Sequence, residues 1–186
     1  LYDPPGKSGV AHMVAGLLTK GAGNRSADQI AESIERVGGS LSASAGPDVL
    51  SISASVLLDD RELAFELMAD ALLRPNFPAE EVELLRTQTL SALALAEAQP
   101  EAIAGRIFAK ALYGDHPYAR RADEASVRAI TRDDLVLFHT TRARPAQGLL
   151  VLAGAIDSVE AHRLVARHFT AWTGRGATPP PARPAP

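Results

Sequence analysis

Gly38-Gly39-Ser40-Leu41-Ser42-Ala43-Ser44-Ala45 is the stretch in which the pattern of the sequence changes from helix to strand. Two successive glycines are typical of a helix end, because glycine adopts the left-handed backbone conformation without steric cost. Apolar residues and serines then alternate with a period of two. The same alternation returns at 50–56, after the turn Gly46-Pro47-Asp48. The pattern predicts a β-hairpin with one apolar and one small polar face.

The segments before this hairpin have helical periodicity. Apolar residues recur at helical spacing over 10–18, which predicts a short apolar helix. A second helix is expected to begin after Ser26, because Ser26 and Gln29 have the spacing of a capping box. The glycine pair at Gly38 is expected to end it.

Helices also dominate the chain after the hairpin. Apolar spacing, prolines at helix starts and the capping residue Thr131 predict helices over 59–74, 78–97, 100–112, a segment after Thr131, and 157–172. Between the last two, Leu149-Leu150-Val151-Leu152-Ala153 is apolar without alternation. Such a run is typical of a strand that is buried on both faces.

This order of elements predicts an α+β domain over residues 1–173, with helices packed on one face of a mainly antiparallel sheet. One hairpin and one further strand make a thin sheet. Another strand is therefore expected either upstream of residue 1 or from a partner. Residues 174–186 are rich in proline and have little to bury, so they are predicted to form an extended linker.

The composition is that of an ordinary globular domain and excludes several functions. The net charge of −3 argues against a nucleic-acid-binding surface. The absence of cysteine excludes thiolate zinc sites and cysteine nucleophiles. No apolar run reaches about 18 residues, which predicts that no segment spans a membrane. We expect a soluble protein whose composition favours a bacterial source, and both the cytoplasm and the periplasm remain open.

Several blocks occur in an order that resembles one peptidase family. They are Gly6-Lys7-Ser8-Gly9-Val10-Ala11-His12, Arg25-Ser26-Ala27, Gly38 to Ala43, Leu72-Leu73-Arg74-Pro75-Asn76-Phe77-Pro78, Leu112-Tyr113-Gly114-Asp115-His116-Pro117-Tyr118, and Arg128 to Leu135. Together they closely resemble the N-terminal domain of pitrilysin/insulinase-type zinc metallopeptidases, which include the mitochondrial processing peptidases. The resemblance covers about residues 3–173 and implies the fold of that family.

The resemblance also implies where a zinc site would lie. Active members carry H-x-x-E-H on the first helix, where residues i and i+4 bind zinc from one helical face and the glutamate is the general base. Here His12 occupies the first ligand position, Ala15 replaces the base and Gly16 replaces the second ligand. The third ligand, a glutamate in the family, falls on Ala92, or on Ser91 if the count differs by one. We therefore predict no zinc site and no catalytic residue on this chain.

The remaining histidines give no alternative metal site. His116 lies in a turn that the family shares, where a structural hydrogen bond is the expected role. His162 and His168 are six residues apart, so they diverge on a helix and are expected at the surface. His139 has no neighbouring ligand in the sequence.

Strand 40–45 is the segment to which the resemblance assigns substrate binding. In catalytic members this edge strand pairs with the peptide, a mode of recognition that reads mainly backbone. The predicted peptide-binding residues are Ser40, Leu41, Ser42 and Ala43, with Ser42 where the family usually has asparagine. The alternative is that the strand pairs only within its own sheet.

Family members form a clamshell of two halves, each built from two similar domains. The erased motif therefore suggests a non-catalytic half that helps to enclose an unstructured peptide, together with a homologous zinc-bearing peptidase subunit. Zinc is expected on that partner. The linker would lead to a second domain, which in the family carries an Arg/Tyr pair that binds substrate. The alternative hypothesis is a structural or assembly protein with the same fold and no role in proteolysis.

Overall fold

The computed structural model describes residues 3–145 and 148–173. The helices are α1 (Val10–Leu17), α2 (Ala27–Glu35), α3 (Arg61–Leu73), α4 (Ala79–Glu97), α5 (Pro100–Tyr113), α6 (Glu124–Ala129), α7 (Arg132–Arg142) and α8 (Ser158–His168). The strands are β1 (Gly21–Ala22), β2 (Arg25–Ser26), β3 (Ser40–Ala45) and β4 (Leu50–Ser55). No helix in the described part of the chain is long and apolar enough to cross a membrane.

Helix α1 is the centre of the hydrophobic core. Met13, Val14 and Leu17 have no exposed surface, and residues of α4, α6 and α7 pack around them. The apolar face of the β3–β4 hairpin covers another side of the same core through Ala43 and Ile52. The α+β class is therefore confirmed, with helices lying on one face of an antiparallel hairpin.

The local signals around α2 are confirmed in atomic detail. Ser26 accepts a hydrogen bond from the backbone amide of Gln29, and the Gln29 side chain accepts one from the backbone amide of Ser26. Gly38 has a φ of 66°, the left-handed conformation that closes the helix. Strands β3 and β4 then pair antiparallel, with Ser42 opposite Ser53.

Gly39 is required at the start of β3 for steric reasons. A Cβ atom there would lie 2.7 Å from Cγ1 of Val56 and 2.9 Å from the carbonyl oxygen of Ser55. We expect Gly39→Ala to lower the free energy of unfolding by about 1–3 kcal/mol, as other overpacked sites do. The matched control is Gly46→Ala, because a Cβ there meets only the carbonyl oxygen of Val49 at 3.9 Å. Urea denaturation of both variants checks this, and equal stabilities would contradict it.

The predicted strand at 149–153 is wrong in this structure. The segment has no regular secondary structure, and Leu149 and Val151 are 87% and 74% exposed. A strand forms when its backbone N–H and C=O groups pair with a neighbouring strand, and among the described residues β3 and β4 pair only with each other. The predicted further strand upstream of residue 1 or from a partner stays a prediction.

Other boundaries differ in smaller ways. The last helix ends at His168 rather than near residue 172, and the short helix α6 and the β1–β2 pair were not predicted. The predicted linker at 174–186 lies outside the described residues.

An ion pair positions the start of α1. The Lys7 ammonium group donates to Oδ2 of Asp134 at 2.7 Å and also to the carbonyl oxygen of Ala129. Asp134 in turn accepts from the backbone amide and the hydroxyl of Thr131, each at 2.7 Å. One carboxylate therefore caps α7 and fixes the loop that leads into α1.

This carboxylate gives the domain a pH-dependent contribution to its stability. Burial alone raises the pKa of Asp134, but the hydrogen bonds from Lys7 and Thr131 outweigh it and lower the pKa to about 2. A lowered pKa in the folded state adds stability above the unfolded value, and this stability is lost as pH falls towards 2. After allowance for solvent screening, we expect Asp134→Asn to cost about 1 kcal/mol at pH 7. The cost should shrink between pH 4 and pH 2 by the same reasoning.

Urea denaturation at several pH values measures this difference between the variant and the unmodified domain. The control is Asp133→Asn, since Asp133 is an exposed neighbour on the same helix turn. A cost for Asp134→Asn that stays constant down to the lowest pH would contradict the role of the ionised carboxylate.

Candidate functional site

One stripe of α1 escapes burial, and it carries both histidine positions of the motif. His12 is exposed and Gly16 is half-buried, whereas Ala11, Met13 and Ala15 are buried. Residues four apart lie on one helical face. The spacing expected for a metal-binding pair is thus present, but the second position has no side chain.

Leu85 of α4 occupies the space beside Gly16. A Cβ atom at residue 16 would lie 3.0 Å from Cδ2 of Leu85 and 3.6 Å from Cδ1. Real Cβ atoms rarely approach so closely, so any larger side chain at residue 16 requires Leu85 to move. In this packing of α1 against α4, the end of the Leu85 side chain lies where a side chain at residue 16 would begin.

The other two motif positions are also apolar. Ala15 is 2% exposed and belongs to the buried side of α1. Ala92 lies seven residues after Leu85, which is about two helical turns along the same side of α4, and it is exposed. The adjacent Ser91 donates its hydroxyl hydrogen bond to the carbonyl oxygen of Thr87 at 2.9 Å.

These residues do not fit a catalytic zinc ion. His12 is the one side chain of the four motif positions that could ligate zinc, and a catalytic site needs about three protein ligands. No other acidic or histidine side chain compensates within 3–145 and 148–173, where no three His, Cys, Asp or Glu residues are grouped to hold a metal. That the whole protein lacks zinc stays a prediction.

His12 instead borders a cleft of about 510 Å³, which we call the His12 cleft. It lies between the start of α1, the turn of the β3–β4 hairpin and the segment after α5. Its lining residues are Asp3, Ala11, His12, Ala45, Gly46, Pro47, Asp48, Tyr113, Pro117, Tyr118, Arg120 and Arg121. Apart from His12, sequence reasoning assigned none of these residues to a site, although 112–118 was one of the blocks that carry the family resemblance.

Strand β3 has the geometry of an accessible edge. It pairs with β4 on one side, and no described strand pairs with it on the other. Its serines Ser40, Ser42 and Ser44 are exposed, while Leu41 and Ala43 are half-buried against the helices. In an antiparallel pair about half of the backbone N–H and C=O groups of each strand point away from the partner. On β3 these groups pair with no described strand.

The remaining histidines have structural contacts. Nδ1 of His116 accepts from the backbone amide of Tyr118 at 3.2 Å, which confirms its structural role. His139 is buried, which lowers its pKa, and its Nε2 lies 2.8 Å from the carbonyl oxygen of Leu72. His168 lies 2.7 Å from Oε1 of Glu62, and its side chain is only 13% exposed, so the expectation of a surface residue is wrong.

A central apolar helix with His12 and Gly16 four residues apart, packed against the β3–β4 hairpin and against α4, is the α+β arrangement that the resemblance to zinc metallopeptidases implies. Residues 1–124 match the family described as Insulinase (Peptidase family M16). The chain therefore belongs to the insulinase family of peptidases, and the resemblance found in the sequence is confirmed.

Similar proteins agree with this assignment. An uncharacterized zinc protease of Mycobacterium leprae is 37% identical over 178 residues, which is 95% of this chain and 40% of that protein. The chain thus spans less than half the length of this relative. A peptidase M16 inactive domain from Pseudomonas fluorescens superposes with a TM-score of 0.81 at 27% identity, covering 92% of this chain and 43% of that one. Pitrilysin superposes with a TM-score of 0.82 at 20% identity, covering 96% of this chain and 20% of that one, and shows the fold alone.

Proposed function

We propose that this domain is part of a non-catalytic subunit or half of a zinc metalloendopeptidase, which encloses and binds a peptide together with a zinc-bearing partner. The observation that carries the proposal is the motif on α1. His12 remains, but Ala15 and Gly16 replace the base and the second ligand. The side chain of Leu85 lies directly beside residue 16.

The packing around α1 supports the proposal. Within 3–145 and 148–173 no carboxylate without a partner is buried near α1, and a buried unpaired charge would be costly. Among the described residues, no buried side-chain nitrogen or oxygen lacks a hydrogen-bond partner. The similarity to the peptidase M16 inactive domain from Pseudomonas fluorescens supports the same proposal.

Within this function, β3 is the proposed peptide-binding strand through Ser40, Leu41, Ser42 and Ala43. Its outward backbone groups can pair with an extended peptide of almost any sequence. The small exposed serines leave room for the side chains of such a peptide.

The test combines metal analysis and peptidase assays on the full-length protein, alone and mixed with a homologue that carries intact H-x-x-E-H. We expect the protein alone to hold no stoichiometric zinc and to be inactive, and the pair to cleave peptides. A partner whose motif glutamate is changed to glutamine is the control, since it should abolish activity of the pair. Zinc binding and cleavage by this protein alone would overturn the proposal. An inactive pair would favour a structural or assembly role.

The role of β3 has its own test, based on N-methylated peptides. An added strand hydrogen-bonds through every second amide, so methylation along one edge of the peptide leaves its other edge able to pair. Methylation along both edges should abolish binding to the pair, whereas methylation along one edge should be tolerated. Equal binding of the unmethylated peptide, the peptide methylated along one edge and the peptide methylated along both edges would contradict strand addition.

A further inference from the structure

The His12 cleft contains two arginines that have no partner in the described structure. Arg120 and Arg121 are exposed, line the cleft, and form no ion pair or side-chain hydrogen bond among the described residues. The Asp115 carboxylate accepts a hydrogen bond from Lys110 at 2.9 Å, which lowers the pKa of Asp115. The positive charge of Arg120 lowers this pKa slightly further. Two guanidinium groups therefore remain available to an external anion.

The acidic residues of the cleft are already engaged. The two carboxylate oxygens of Asp3 accept from the backbone amides of Gly9 at 2.6 Å and Ala11 at 3.0 Å. Asp48 accepts from the hydroxyl of Tyr118 at 2.5 Å. Neither carboxylate forms an ion pair with Arg120 or Arg121 among the described residues, so the donors of both guanidinium groups remain open to a ligand.

Two tyrosines, Tyr113 and Tyr118, form part of the remaining wall, and Tyr118 is supported from outside the lining by His116. Tyr113 and Tyr118 meet edge to face with ring centroids 5.6 Å apart, and His116 packs on Tyr118 at 4.6 Å. A wall of this kind offers apolar contact to the carbon chain of a ligand. Arginines beside it match the planar geometry of a carboxylate, which they bind with two parallel hydrogen bonds.

The position of the cleft indicates the ligand. Ala45, the last residue of β3, and Gly46 of the following turn belong to its lining. A peptide paired along β3 therefore runs into the cleft at the end of the strand. We propose that the His12 cleft binds a carboxylate of that peptide through Arg120 and Arg121. This inference rests on the proposed peptide-binding function and adds a preference for a negative charge at one end of the bound segment.

The test measures binding of labelled peptides of about ten residues to the full-length protein by fluorescence anisotropy. Three peptides share one neutral sequence: one with a single glutamate and an amidated terminus, one with glutamine there instead, and the glutamine peptide with a free terminal carboxylate. We expect a carboxylate to tighten binding about tenfold, which corresponds to one charge-assisted contact. Tighter binding of the glutamate peptide would identify a side-chain carboxylate as the ligand. Tighter binding of the peptide with a free terminus would identify the terminal carboxylate.

The decisive variant is Arg120→Gln/Arg121→Gln, which should abolish this preference, so that the three peptides bind it alike. Lys20→Gln/Arg36→Gln is the matched control, because it removes two exposed positive charges outside the cleft. It should keep the preference. Equal affinities for the three peptides, or an equal loss for all three in the cleft variant, would overturn the carboxylate site and leave the proposed function standing. Absence of binding by every peptide, to the protein alone and to its pair with the zinc-bearing homologue, would overturn both the site and the peptide-binding role.

Discussion

Restoring the motif by Ala15→Glu, Gly16→His and Ala92→Glu is expected to give a destabilised domain that still holds no stoichiometric zinc. The imidazole at residue 16 would have to enter the volume that Leu85 occupies, since even its Cβ would lie 3.0 Å from Cδ2 of Leu85. The glutamate at residue 15 would replace an alanine that is 2% exposed. Overpacking together with a buried ionisable group places the expected loss at about 3 kcal/mol or more.

The role of Leu85 can be isolated by a double-mutant cycle. Gly16→His should cost about 1–2 kcal/mol less in the presence of Leu85→Ala than in its absence, because residues in contact do not act additively. Leu84→Ala is the matched control on the same helix, since Leu84 is 53% exposed. Urea denaturation gives the free energies, and mass spectrometry under native conditions gives the zinc content. One zinc ion per chain in the triple variant, with Leu85 unchanged, would contradict the idea that the site has been filled.

The elements that could be predicted from the sequence are those that local rules determine. The capping box at Ser26, the glycine stop at Gly38 and the alternation in β3 and β4 each act within a few residues, and each is present in the structure. The order of the sequence blocks also predicted the peptidase family. The absence of a general base at residue 15 and of a zinc ligand at residue 16 can likewise be read directly from the sequence.

What depended on distant partners could not be predicted. The strand at 149–153 was expected from its apolar run, but a strand needs a neighbour, and none is described beside it. The crossing of α1 and α4 determines which residue of α4 lies beside Gly16. The contact with Leu85 could therefore not be predicted from the sequence. The His12 cleft joins three segments that are far apart in the chain, and Arg120 and Arg121 carry no motif. The peptide-binding role of β3 stays a prediction.

Asp70 is another residue whose role emerges only in three dimensions. It is an acidic residue on α3 that is 3% exposed, among apolar neighbours. Its carboxylate accepts from Arg25 of β2 at 2.8 Å and also from Arg74 at the end of α3. Arg25 donates in addition to Glu66 at 2.6 Å. The buried carboxylate thereby connects α3 to the β1–β2 pair, which links the core helix α1 to α2.

Asp70→Asn should therefore lower the free energy of unfolding by about 2–3 kcal/mol, although asparagine has nearly the same shape. One acceptor oxygen of the carboxylate becomes an amide donor that faces guanidinium donors, so at least one of the hydrogen bonds from Arg25 and Arg74 is lost although Arg25 keeps Glu66. A hydrogen bond to a charged group contributes about 1.5–3 kcal/mol. Glu66→Gln is the matched control, because Glu66 contacts the same Arg25 from a side chain that is 41% exposed. Its expected cost is at most about 1 kcal/mol. Equal costs for the two variants in urea denaturation would mean that burial of Asp70 contributes nothing beyond an exposed ion pair, and the β1–β2 connection would have to depend on its backbone hydrogen bonds alone.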